Sequence, residues 1–315
     1  MPTRSPWRFS YAHLIAAICF SIQAFGIGLY IAFGVFFNPL MVEFGWSRAA
    51  IAGASSTAFF IMGIFGIIIG RLNDRFGPRP LLSVTAIFMG LGCALMASLS
   101  TLLELSLFYG LIFGIGLSSI DVIALTTVTR WFSHRRGFMT GIVKVGTGAG
   151  QLVIPLLASG LILHYGWRWS FIIIGLGTAL ILALMAQFLR RDPAAMGMAA
   201  PSPKNVRAPV AIPSLSLSQA LKTVQLWTIC LVNFVLVFCL MIIMLHIVPH
   251  ARDLGLSPMR AAGVLSTIGA VSMLGRFICG LAIDRLGSKT VMFFCFLMLL
   301  LGLVWLQFAN QFWML

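Results

Sequence analysis

The sequence predicts an all-α membrane protein built from two pseudo-symmetric helix bundles, and three observations carry that expectation. The 315-residue chain is 60% hydrophobic and only 9% charged, whereas a soluble domain carries roughly 25% charged residues. Uncharged apolar runs of about 20 residues, long enough to cross a bilayer, recur along the whole length. The later part of the chain also repeats the earlier part without gaps when residue 44 is set on residue 254. FGWSRAAIAGASST (44–57) then falls on LGLSPMRAAGVLST (254–267), with Gly45 on Gly255, Ser47 on Ser257 and Gly53 on Gly263. Internal repeats of this kind mark chains built from duplicated helix bundles.

The apolar runs define nine spans, at 13–37, 50–70, 81–99, 104–129, 138–163, 168–189, 224–248, 258–282 and 290–309. Each is read as a helix, because only helices and closed barrels satisfy the backbone in lipid, and the alternation of a barrel strand is absent. Ser47 and Ser257 supply helix caps; Trp167 and Trp169 anchor an interface. The first run begins near His13 and, at about 25 residues, exceeds a signal core, so no cleaved leader is expected.

Net charge is +14, but the basic residues do not form the single patch that nucleic acid requires. They sit in short clusters on alternate loops. Of the 21 Lys/Arg, fifteen fall on one set of loops and four (Arg48, Arg168, Arg252, Arg260) on the other; Lys144 and Arg276 lie inside spans. That asymmetry predicts a cytoplasmic N-terminus, and the cell (inner) membrane is the expected location. Segment 191–222, rich in Pro and Lys/Arg, reads as a cytoplasmic linker, and its end, SLSLSQALK, as a short surface helix. The linker separates an N-terminal six-helix bundle (1–190) from an incomplete C-terminal bundle (223–315). The six cysteines lie within apolar runs with no CxxC spacing, so they are expected to pack in the interior rather than form disulfides or a metal site. No cofactor is expected, and no HExxH, nucleophile elbow or phosphate loop points to an enzyme.

One charged hinge occurs twice. GRLNDRFGPRP (70–80) and GLAIDRLGSKT (280–290) register under the repeat, Gly70, Asp74, Arg75 and Gly77 falling on Gly280, Asp284, Arg285 and Gly287. Glycines permit close approach of helix ends, and an aspartate suits a neighbouring helix N-terminus. The pattern G-x-L-x-D-R-x-G-x-R, ending at Arg79, resembles the signature loop of the major facilitator superfamily, between its second and third helices; the copy sits where that superfamily repeats it. The resemblance implies twelve helices, of which about nine lie in this chain, the tenth being entered at FWML. It also implies that Asp74 pairs with the start of helix eleven and Asp284 with the start of helix five. Further stretches resemble the monocarboxylate porters and their oxalate/formate antiporter relatives: FGVFFNPLMVEFGWSRAAI (33–51), TRWFSHRRGFMTGI (129–142), GTGAGQLVIPLLASGLI (146–162) and YGWRWSF (165–171). GTGAG, inside a span, reads as a close helix contact rather than a dinucleotide loop.

Three ionisable residues lie deep in spans: Asp121, Lys144 and Arg276. Each costs about 2.5–3.5 kcal/mol on insertion scales and so needs a partner or a cavity. Arg276 has Gly66 as its repeat mate, so the scaffold does not demand a charge there. By resemblance it matches the helix-eight arginine that carboxylate porters use to bind substrate, a task suited to a bidentate fork; the alternative is snorkelling to the nearby interface. Ser272 stands where animal members often have an acidic residue. Asp121 and Lys144, at similar depth on consecutive helices, read either as a structural ion pair or as a substrate and proton site, with Asp121 the proton-coupling candidate. Tyr30, Gln23 and Asn233 are weaker hydrogen-bonding candidates, and His246 and His250 sit at the outer end of span seven. The resulting expectation is a secondary transporter of small organic anions, with H+ and the lipid bilayer as partners. Its rivals are anion exchange, transport of amino-acid-like zwitterions, and a membrane protein that does not transport.

Overall fold

A computed structural model describes residues 7–132, 135–193, 217–253, 255 and 258–308. Its described residues are helical, with no strand among them. Eight helices are long and apolar enough to cross a membrane, and the longest, Arg136–Phe188, contains Gly166 at φ 76° and ψ 166°, a conformation no helix sustains. Dividing it there leaves nine membrane helices among the described residues. The first six are Tyr11–Phe44, Arg48–Phe76, Pro78–Ser98, Leu102–Trp131, 136–165 and 167–188. The last three are Val224–Asp253, Pro258–Leu286 and Ser288–Gln307. A short helix, Leu217–Leu221, precedes the seventh.

The helices outrun the apolar spans. The first continues through a 3-10 turn at Phe33–Phe36 to Phe44, where Gly45, at φ 67°, ends it. Ser47 Oγ then accepts from Ala50 N at 3.2 Å and starts the second helix; Ser257 lies outside the described residues. The repeat is visible in the backbone. Gly77 and Gly287 have φ 84° and 83°, and each donates its N–H 3.0 Å to the carbonyl four residues earlier, Asn73 and Ile283.

The chain forms two compact units. The first comprises Met1–Pro201 with Met273–Val291. Its core runs from Ile15, Cys19 and Ile22 through a ladder of rings at Phe33, Phe36, Tyr109, Phe113 and Phe171. Phe33 stacks on Tyr109 at 3.9 Å and Phe36 on Phe171 at 3.8 Å. The first and fifth helices meet without intervening side chains: a Cβ on Gly150 would overlap the Ala24 carbonyl, and one on Gly146 that of Phe20. GTGAG is thus a close-packing segment, where small residues let backbones touch. Gly150→Val is expected to destabilise the protein by about 3 kcal/mol, read as thermal unfolding in detergent. Gly160→Val, where the added group meets nothing within 4 Å, is the control.

The fourth helix departs from α geometry over Ser106–Phe113, which is π-helical. Apolar pattern does not announce this widening. The third helix admits it, since a Cβ on Gly92 would lie 2.7 Å from Phe113 N and 2.8 Å from Phe108 O.

The second unit comprises Ser202–Ser272 with Met292–Leu315. Its small core is Ile247, Ala251 and Val264, with Ile243, Ile268 and Leu306 against it. In the seventh helix no residue of Val224–Ile243 is fully buried. The cysteine expectation is corrected here. Cys19 and Cys93 are buried, but Cys230 and Cys295 are exposed and Cys239 and Cys279 half-buried, because an apolar run holds a small thiol on any of its faces and does not by itself decide which face is packed.

Candidate functional site

Asp121 and Lys144, on the fourth and fifth helices, form an ion pair with Nζ 2.5 Å from Oδ1, each side chain about one-third exposed (33% and 32%). Gln23 of the first helix completes the group. Its Nε2 donates to Asp121 Oδ1 at 2.8 Å and to the Ile120 carbonyl at 3.4 Å. Its Oε1 accepts from Thr147 Oγ1 at 3.0 Å. Three helices are joined through one amide that has no solvent exposure. The sequence did not single out Thr147, although its signal was present: three residues after Lys144, it shares that residue's helix face.

Arg276 approaches the same fifth helix. Its carbonyl oxygen lies 2.8 Å from where a Gly141 Cβ would stand, whereas its Nη1 lies 3.3 Å from the corresponding point on Gly148. From 141 to 148 is roughly 10 Å of helix. The side chain therefore runs away from the end carrying the two charged hinges and toward the middle of the bundle, as the tilt of helical Cβ bonds favours. Snorkelling to that end is not what the geometry describes. Nη1 is buried and has no hydrogen-bond partner among the described residues. A guanidinium in that state offers two N–H groups to a planar anion.

The remaining candidates lie elsewhere. Tyr30 is half-buried, its ring 5.4 Å from Phe59 and its carbonyl accepting from Tyr109 Oη at 3.0 Å. It stands seven residues from Gln23, roughly 10 Å along the first helix. Asn233 is exposed on the seventh helix, in the second unit. His250 is half-buried; the side chain of His246 is outside the described residues.

The two hinges differ in their partners. Asp284 accepts from Gly137 N and Phe138 N, each at 2.8 Å, capping the fifth helix where its dipole favours negative charge. Gly280 lets that contact form: a Cβ there would be 2.8 Å from the Gly137 carbonyl. Asp74 instead receives Arg130 Nη2 at 2.6 Å. The resemblance assigned it to a helix eleven; in the structure the fourth helix supplies a cation at its side. Arg79 is held by Gln187 Oε1 at 3.0 and 2.7 Å, Arg75 lies over Phe76, and Gly70 has open space around it. Arg285 is exposed. Asp284→Ala is expected to cost about 1–2 kcal/mol of unfolding free energy through the lost cap, and Asp284→Asn less; thermal unfolding in detergent measures both.

At the opposite end, Glu43 binds Trp167 Nε1 at 2.6 Å and Arg168 Nη1 at 2.5 Å, and Arg168 Nε reaches the Ala97 carbonyl at 3.1 Å. Sequence placed Arg168 on the less basic set of loops and did not pair it with Glu43. Asn73, buried and donating to Thr126 Oγ1 at 2.9 Å, gave no signal beyond its place in the hinge.

Residues 14–315 match the Major Facilitator Superfamily. The chain is 30% identical over 270 residues to MFS-type transporter 1 of Ophiocordyceps sp. (strain BCC 1869), covering 85% of this chain and 57% of that protein. It is 30% identical over 280 residues to human (Homo sapiens) Monocarboxylate transporter 11, covering 86% and 56%. It therefore spans a little over half the length of these relatives. Among solved structures, the proton:xylose symporter XylE bound to 6-bromo-6-deoxy-D-glucose superposes with a TM-score of 0.51 at 18% identity, over 60% of this chain and 47% of that one. That is a likeness of fold. The duplicated hinge, the nine apolar helices and the match along nearly the whole sequence together establish that this chain belongs to the major facilitator superfamily.

Proposed function

We propose that the protein carries small organic monoanions of the monocarboxylate type across a cell membrane, by alternating access and together with protons. The observation that supports this reading most is Arg276: a guanidinium directed into the bundle with buried, unpartnered Nη1 and a cost in lipid that only an anion or water offsets. Asp121 and Lys144 neutralise one another, so Arg276 leaves the site with a single positive charge, which a singly charged carboxylate matches. The curated relative named as a monocarboxylate transporter supports the same substrate class. The N-terminus lies in the cytoplasm, on the side of the basic hinges, in the cell (inner) membrane. Residues 1–190 and 223–315 belong to the two halves, joined by 191–222.

Proton coupling rests on Asp121. Glu43 is committed to Trp167 and Arg168 at one end, and Asp74 and Asp284 to the hinges at the other. Glu104 caps the fourth helix with Thr101. Among the described carboxylates, Asp121 is thus the one deep in a span. Protonating it would release Lys144 to assist the bound anion, and returning it to carboxylate would reclaim Lys144 and favour release. The two hinges and Tyr30 line the path within the first unit.

The test is uptake of labelled small carboxylates into proteoliposomes with and without an imposed pH gradient. Acceleration by a proton gradient of the same direction supports symport. Uptake that needs a trans anion and ignores pH would establish exchange instead. Uptake confined to amino acids would assign Asp121 to an amine, and no uptake of either class would leave a membrane protein that does not transport.

A further inference from the structure

Asp121 is held unequally at its two oxygens. Oδ1 accepts from Lys144 Nζ at 2.5 Å and from Gln23 Nε2 at 2.8 Å. Oδ2 accepts from no described residue, and a third of the side chain is open. While Asp121 is ionised, the amide that enforces this has one favoured orientation. Gln23 is wholly buried, and a reversed amide would set its Oε1 against the Ile120 carbonyl and the Asp121 carboxylate, three acceptors with no proton among them. The Thr147 hydroxyl can rotate to suit either orientation, so Ile120 and Asp121 decide, and Nε2 is the obligate donor. An oxygen that already receives two N–H groups is a poor place for the acid proton.

We propose that Gln23 is a positioning residue. It fixes Oδ1 of Asp121 as a permanent acceptor, so that a proton, or a donor group on the cargo, is taken up and given back at Oδ2. The link to transport rests on Asp121 being the proton carrier; the asymmetry itself does not. The charges around Asp121 are few. Lys144 from the fifth helix is the ion-pair partner, and Arg276 from the eighth lies by Gly148, about one turn further along. The second and third helices, which also pack on the fourth, bring Arg71, Asp74, Arg75 and Arg79 at the hinge end. There Asp74 meets Arg130, nine residues or roughly 13 Å from Asp121. The first helix contributes Tyr11 and His13 near its start and Tyr30 toward the other end, none of them bonded to Asp121.

The test is infrared titration of the purified protein in lipid, with aspartate isotopically labelled, alongside the pH profile of carboxylate uptake. Gln23→Met keeps the shape and removes the donor. The protonated C=O band of Asp121 is then expected to shift and broaden, because Oδ1 has lost one of its two donors and competes with Oδ2 for the proton. Gln23→Glu removes the same amide donor at nearly the same shape and is expected to broaden the band likewise, which keeps the proposal testable if the methionine variant does not fold. Thr147→Val, which leaves Nε2 in place, is expected to leave the band near wild type. A Gln23→Met protein with an unchanged band would overturn the positioning role. Should the band respond as described while uptake ignores pH in every variant, the proton-coupling reading fails and the positioning role stands.

Discussion

Arg276→Ala is expected to lower carboxylate uptake, as kcat/KM, by about 100-fold. Each hydrogen bond to a charged group is worth about 1.5–3 kcal/mol, and a bidentate guanidinium–carboxylate pair makes two. Arg276→Lys keeps the charge but loses the fork and is expected to retain about a tenth of wild-type activity. Stability is expected to move the other way. The guanidinium is paired with no described residue, and removing an uncompensated charge from the bundle relieves a cost of about 2.5–3.5 kcal/mol on insertion scales. Arg276→Ala should therefore unfold in detergent at a temperature equal to or above that of wild type. That divergence separates a substrate-binding arginine from a structural one, whose loss would weaken both. Uptake unaffected by the alanine would remove Arg276 from the site, and with it the main support for an anionic cargo.

The second large effect concerns Asp121 and Lys144. Lys144→Met leaves Asp121 facing lipid-embedded helices without its counter-charge, and Asp121→Asn does the same to Lys144. Each single change is expected to destabilise by about 2–3 kcal/mol. This is below the 3–5 kcal/mol of a fully buried pair, because both side chains are about one-third open. The neutral double variant, Asp121→Asn with Lys144→Met, is expected to return to within about 1 kcal/mol of wild-type stability, since no unpaired charge remains. Its uptake should nevertheless be lost, as should that of the charge-swapped pair Asp121→Lys with Lys144→Asp. Thermal unfolding and initial uptake rates measured on the same preparations give the answer. Full recovery of uptake in the swapped protein would reduce the pair to a structural clasp and leave the proton without a carrier.

The class of fold, the nine apolar helices and the duplication are all legible in the order of residues. Each membrane helix satisfies its own backbone, so its existence follows from the length and apolarity of a local run and needs no partner. Turns set by Gly77 and Gly287 and the cap at Ser47 are local in the same way. The three intramembrane charges were visible for the same reason: a charge in an apolar run stands out whatever surrounds it.

Which way those charges point and what they touch follows instead from how the helices pack. The Asp121 carboxylate finds Lys144 and the Gln23 amide, Arg276 turns toward Gly148 instead of the hinges, Asp74 takes Arg130, and the fourth helix widens into a π segment against Gly92. None of these is fixed by spacing along one helix. Each depends on how far neighbouring helices rotate about their axes and how closely they approach, and that is set by where small residues such as Gly146 and Gly150 let backbone meet backbone, a property of pairs of helices rather than of either one.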